Sequence, residues 1–259
     1  MKSLRYLPLM VALAASALPV FAQTAAKPAT EPAPIVLPVQ PAHVAAPKLD
    51  PQTGEPHAGF LRAHDSFVAI ARDGLARLVF LGDSITAGWG GQRAIWEKAF
   101  GAYQPANFGI GGDRTQHVLW RVENGEFDGI KPKVVVLMIG TNNSGVVANS
   151  PEEVAAGIRN IIDAIHKRTP ETQVLLLGIF PRGETAANNP GREKNNRVNE
   201  IIAKYHDGKK VHFLDIGSKF LEADGRLSRE MMPDLLHLNA KSYQIWADAI
   251  APTLEKLMR

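Results

Sequence analysis

The sequence has no cysteine, so no disulfide can staple its fold and no lipid-bearing cysteine can anchor it. Stability must come from a packed core, and 259 residues with 45% apolar content suffice for one. Excess charge is missing as well. The formal net charge is +3, two units of it come from Lys2 and Arg5, and the other basic residues are scattered among acidic ones. That distribution gives no electrostatic footprint for nucleic acid and excludes it as a partner. Beyond the N-terminus no apolar run reaches the roughly 20 residues that a spanning helix needs. Three signatures are also absent: G-x-G-x-x-G, G-x-x-x-x-G-K-[ST] and H-E-x-x-H. His43, His57, His64, His117, His166, His206 and His212 lie apart in sequence and read as surface or core side chains, not as metal ligands.

The N-terminus carries an address. "MKSLRYLPLMVALAASALPVFAQ" has a basic start, a short apolar centre bracketed by Pro8 and Pro19, and small residues up to Ala22. This pattern predicts a secretory signal peptide over residues 1–22 and a periplasmic or secreted protein, with no membrane span once the signal is removed. Residues 23–56 are rich in alanine and proline. Closely spaced prolines lack N–H donors, so the segment reads as an extended tether, with the folded domain over 57–259.

From there short apolar runs alternate with helical patterns. The runs are "RLVFLG" (77–82), "PANFGI" (105–110), "KVVVLMIG" (133–140), "QVLLLGIF" (173–180) and "VHFLDI" (211–216). Val154, Ile158, Ile161, Ile162 and Ile165 fall on one helical face over 151–168. Ser150, Pro151 and Glu153 supply a capping box and a proline at the first position. "SYQIWADAIAPTLEKL" (242–257) predicts a closing helix. Alternation of this kind implies a parallel sheet with helices on both faces, whose ligands sit beyond the C-terminal strand ends. Three polar, glycine-rich stretches, at Gly82–Ser84, "GIGGDR" (109–114) and "GTNNSG" (140–145), should therefore meet on one rim.

Ser84 has two readings. Serine and aspartate are common at helix starts, where their oxygens accept free N–H groups. A serine can also be a nucleophile if a base and an orienting acid stand beside it. Asp234 and His237, in "MMPDLLHLN", are three residues apart and can face the same side of a tight turn. The carboxylate would fix the imidazole tautomer and stabilise the imidazolium. Ester hydrolysis further needs an oxyanion hole, and the rim offers the N–H of Ser84, the N–H of Gly112 and the Asn142 side-chain amide. Asn142 and Asn143 are equally explained by turn chemistry when taken alone. No G-x-S-x-G elbow is present, which argues against an α/β-hydrolase fold.

Together, "GDSITAG", "NFGIGGD", "GTNN" and "DLLH" resemble the four blocks of the SGNH, or GDSL-type, hydrolases, in the family's order. Ile85 stands where the family's short name has leucine. Within the family the longer stretches look like the catalytic subunits of intracellular platelet-activating-factor acetylhydrolase. The resemblance implies a three-layer α/β/α, flavodoxin-like fold with five parallel strands. It implies Ser84 as nucleophile, His237 as base oriented by Asp234, and Ser84, Gly112 and Asn142 as the oxyanion hole. No metal or organic cofactor is implied, and the relatives suggest a homodimer. The expected function is a serine esterase for short, acetyl-like acyl groups, with Ile85 and Leu236 narrowing the acyl pocket and an acetylated carbohydrate as substrate. Phospholipid or lysophospholipid esters, aryl esters and thioesters are the alternatives, and a non-catalytic binding domain is the rival from another class.

Overall fold

The five apolar runs form strands: β1 (Leu78–Gly82), β2 (Pro105–Gly109), β3 (Val134–Met138), β4 (Gln173–Leu177) and β5 (Val211–Leu214). These come from a computed structural model that describes residues 36–146 and 149–259. All pairings are parallel, in the order β2-β1-β3-β4-β5. Successive side chains on a strand point to opposite faces. Val79, Leu81, Val135, Leu137, Val174 and Leu176 accordingly enter one apolar core, and Leu78, Phe80, Val134, Val136, Leu175 and Leu177 enter the other. A strand buried on both faces must be apolar throughout, which is why β1 and β3 show no alternation.

The first core lies under α1 (Ala58–Asp73), α4 (Thr115–Arg121), α5 (Pro151–Arg168) and α6 (Pro190–Ile202). The second lies under α3 (Arg93–Phe100) and α7 (Ala240–Met258), with Phe80, Trp89, Phe100, Tyr243 and Trp246 stacked edge and face around one another. Helix α5 has the expected bounds and capping box, with Ser150 and Glu153 satisfying each other's backbone N–H groups. Helix α7 begins two residues earlier than its apolar pattern, because Asn239 caps the N–H of Ser242. The architecture is the three-layer α/β/α arrangement anticipated from the strand–helix rhythm. Among the described residues no helix is long and apolar enough to cross a membrane.

One expectation is corrected. The alanine- and proline-rich segment was read as tether through residue 56, yet the chain from Gln40 onwards packs on the domain. Ala42 is fully buried in the first core. The Ala42 and His43 carbonyls accept hydrogen bonds from Thr115 Oγ1 (2.6 Å) and Asn160 Nδ2 (2.8 Å). Proline-rich backbone has spare carbonyls, and here polar side chains of α4 and α5 supply the donors that a neighbouring strand or helix turn would otherwise provide. The signal-peptide reading, and the tether reading before residue 36, fall outside the described residues.

Candidate active site

The rim at the C-terminal strand ends does collect the three glycine-rich stretches. The Ile110 N–H reaches the Gly82 carbonyl at 3.2 Å. Asn142 Nδ2 donates to the Asp113 carbonyl at 2.8 Å. At the end of β1 a short helical turn, α2 (Ser84–Ala87), begins at the serine itself. Its cap is Asp83, whose Oδ1 accepts the Ile85 N–H at 3.0 Å. Ser84 is therefore not the cap, and its hydroxyl is left for another partner.

That partner is His237. Ser84 Oγ lies 2.9 Å from His237 Nε2, and His237 Nδ1 lies 2.7 Å from Asp234 Oδ2. The second carboxylate oxygen of Asp234 accepts the backbone N–H groups of Leu236 (3.0 Å) and His237 (2.7 Å). Partial burial acts to raise the Asp234 pKa, but the imidazole and the two N–H groups outweigh it and hold the group down to about 2. An ionised Asp234 keeps the proton on Nδ1 and leaves Nε2 free to accept one from the serine. The turn that makes this possible carries a cost, since Leu235 sits at φ 60. A left-handed leucine is uncommon, and the Gly183 N–H fixes it by donating to its carbonyl at 2.8 Å.

Gly112 adopts φ 73, a conformation that disfavours any other residue there. Among the described residues, the N–H groups of Ser84 and Gly112 donate to no protein acceptor. Asn142 has one amide N–H engaged by Asp113 and, among the described residues, no acceptor for the second. The structure thus brings Ser84, Gly112, Asn142, Asp234 and His237 to one rim, with a proton acceptor on the serine hydroxyl.

Two pocket expectations separate. Leu236 is half-buried and packs against the edge of the second core, whereas Ile85 is 1% exposed and lies inside that core. One residue along a helical turn is a rotation of about 100°, so a serine facing the rim sends its neighbour inward. Ile85 lines no open acyl pocket. Its carbonyl accepts the Tyr243 hydroxyl at 2.6 Å, which ties α2 to α7.

Residues 80–245 match the GDSL-like Lipase/Acylhydrolase family. The chain belongs to it. It is 42% identical over 200 residues to platelet-activating factor acetylhydrolase IB subunit alpha1 of Bos taurus, covering 77% of this chain and 84% of the relative. Identity to the alpha2 subunit of Rattus norvegicus is 41% over 185 residues, covering 71% and 78%. A solved GDSL-like lipase from Bacteroides thetaiotaomicron shares the fold at a TM-score of 0.61 and 20% identity, covering 77% of this chain and 98% of that one. The protein is accordingly a carboxylic ester hydrolase of the SGNH fold.

Several parts of this acylhydrolase's rim were not read from the sequence. Arg121 is fully buried and bridges Asp113 and Glu126, while its remaining N–H groups reach the carbonyls of Gly82 (3.3 Å) and Phe108 (3.1 Å). It thereby joins the ends of β1 and β2 behind the serine and the glycine loop. Glu126 is also bonded to buried His64 at 3.1 Å. Burial pushes Asp113 up to about 7 against the pull of Arg121 and Lys48, and the charge of nearby Glu126 adds to the rise. Burial likewise lifts Asp83 to about 7. Arg182 braces the third loop through the Thr141 carbonyl (2.8 Å) and Ser144 Oγ (3.1 Å). Asn143 accepts the Thr115 N–H at 3.0 Å, so it links that loop to α4 and is more than a turn former. A lone arginine or asparagine carries no spacing signal, which is why periodicity and motif did not reveal them.

Proposed function

We propose that this acylhydrolase opens short-chain, acetyl-like esters through an acyl-enzyme on Ser84. The observation that carries the reading is the unbroken hydrogen-bond chain from Ser84 through His237 to Asp234 on the strand-end rim. Ser84 Oγ attacks the acyl carbonyl while Nε2 of His237 takes its proton, and Asp234 stabilises the imidazolium. The tetrahedral oxyanion is received by the N–H groups of Ser84 and Gly112 and the second N–H of Asn142, each such donor being worth about 3–4 kcal/mol. Collapse expels the alcohol, which takes the proton from Nε2. Water, deprotonated by the same nitrogen, then releases the acid.

A short acyl group is supported by the openness of the site. The side chains of Asp234 and His237 are 56% and 46% exposed, and a cavity of about 760 Å³ between His43, Leu119, Asn160 and Lys167 shares no residue with the triad. Ile85, next to the serine, is locked in the core and offers no surface to a long acyl chain. On the alcohol side we favour an acetylated carbohydrate outside the cytoplasm, supported by the signal-like N-terminus. A short-chain phospholipid ester is the second reading, supported by the similarity to platelet-activating factor acetylhydrolase subunits. We also propose a homodimer, to be checked by light scattering.

Ser84→Ala should keep the fold and lose at least about 10⁴-fold in turnover of p-nitrophenyl acetate, as removal of a triad nucleophile does. Retained turnover would sink the mechanism. Rates with p-nitrophenyl esters should fall from acetate to octanoate; a maximum at octanoate would refute the short-acyl reading. Acetyl-xylan, acetylated chitooligosaccharides and short phospholipids assayed side by side decide the alcohol.

A further inference from the structure

The segment that docks before α1 ends on a charged side chain at the rim. Its backbone is fixed along most of its length. The Gln40 carbonyl accepts from Asn149 (3.2 Å), its side chain meets His117 Nε2 (3.0 Å), and the Ala46 N–H donates to the Gln116 carbonyl (3.2 Å). The centre of α5 makes room for it. A Cβ on Gly157 would stand 2.3 Å from the Ala42 carbonyl oxygen, so this glycine in a helix interior accommodates the segment at a propensity cost. Further along, the Lys48 carbonyl accepts the His57 N–H (2.8 Å), and the chain between them turns back through an Asp50–Glu55 pairing (2.8 Å) and a Leu49–Pro56 bridge.

Held there, Lys48 Nζ donates to the Gly111 carbonyl at 2.7 Å. Gly111 borders the nucleophile, since a Cβ built on it would lie 4.0 Å from Ser84 Cβ. The carbonyl that Lys48 grips and the Gly112 N–H belong to one peptide group. The chain has no cis peptide among its described residues, and in a planar trans peptide those two groups point in opposite directions. Gripping the oxygen therefore fixes the direction in which the N–H points, on a peptide that borders the serine. A peptide between two glycines has little steric preference of its own, because neither flank has a Cβ to resist rotation. The ammonium is also close enough that a Cβ on Gly112 would lie 2.8 Å from it.

We propose that Lys48 is a positioning residue that sets the orientation of the Gly111–Gly112 peptide for oxyanion binding, which makes the N-terminal strap part of the catalytic apparatus. This rests on the reading of Gly112 as an oxyanion donor. Lys48 acts through that peptide and touches no reacting atom.

The test uses the full chain and p-nitrophenyl acetate, a substrate without charge for Lys48 to recognise. Lys48→Met removes the donor at similar length, and Lys48→Arg restores one. The methionine variant should lose about 30-fold in kcat, less than the 10²–10³ lost when an oxyanion donor is itself removed. Its KM should change by less than about two-fold and its Tm should hold, because only a transition-state interaction has been weakened. The arginine variant should recover most of kcat. An unchanged kcat in Lys48→Met, with Ser84→Ala inactive, overturns the role of Lys48 and leaves the triad reading intact. Turnover by Ser84→Ala overturns the triad reading instead. A rise in KM at constant kcat, or a fall in Tm that arginine does not reverse, assigns Lys48 to substrate contact or to packing and also overturns the proposal.

Discussion

On the serine side of the rim, Asp83, Asp113 and Arg121 are completely buried, whereas on the histidine side about half of the Asp234 and His237 side chains faces solvent. The acids differ accordingly. Asp83 is lifted to about 7 by burial, and Asp234 is held near 2 by the imidazole and two backbone N–H groups despite some burial. Under the proposed mechanism, the difference follows the work each side would have to do. Oxyanion donors act best when they are already aimed, so their supports are taken out of water and cross-braced. The base must exchange protons with an alcohol and then with water, so it sits in the open. One side is held by the fold and the other by a four-residue turn.

The largest blow to the buried side is Arg121→Met. It leaves Asp113 and Glu126 buried without their cation, and should cost about 3–5 kcal/mol in urea denaturation. No single substitution at the exposed pair should approach that in stability. Asn142→Ala should lower kcat by about 10²–10³ with little change in KM, the signature of a contact made only in the transition state. An equal loss in KM would mean that the amide binds substrate. The pH dependence of stability separates the two aspartates. An acid whose pKa is raised on folding keeps a proton that the unfolded chain has released, so stability falls as pH rises between the ordinary 3.8 and about 7 for Asp83. Asp83→Asn should remove on the order of 2 kcal/mol of that decline, read as ΔG at pH 5 against pH 8. Smallest is Tyr243→Phe. It deprives the Ile85 carbonyl of its donor and should cost about 1–2 kcal/mol, with a minor effect on turnover.

Legibility in the sequence followed the same division. Strands β1 and β3 were readable because burial on both faces demands an unbroken apolar run. Ser84, Asp234 and His237 were readable because their chemistry requires particular residue types close to strand ends or three apart. Arg121 and Lys48 were not, because their partners lie in other elements and no local pattern records them. The strap from Gln40 was misread for a related reason. Alanine and proline advertise an extended chain, but whether such a chain is free or docked depends on a glycine in α5 and a threonine at the start of α4, each more than seventy residues away. Ile85 went astray on a simpler point, since adjacency in sequence says nothing of the direction a side chain takes on a helical turn.

Helix α7 leaves the rim directly after the histidine, capped by Asn239, and runs for 19 residues to Met258. At 1.5 Å per residue it carries the chain about 28 Å from the triad. An affinity handle, a dye or a tether to a solid support attached after Arg259 would therefore leave the mouth unobstructed and should preserve KM. The same attachment made at Lys48 would sit beside the Gly111–Gly112 peptide that borders Ser84.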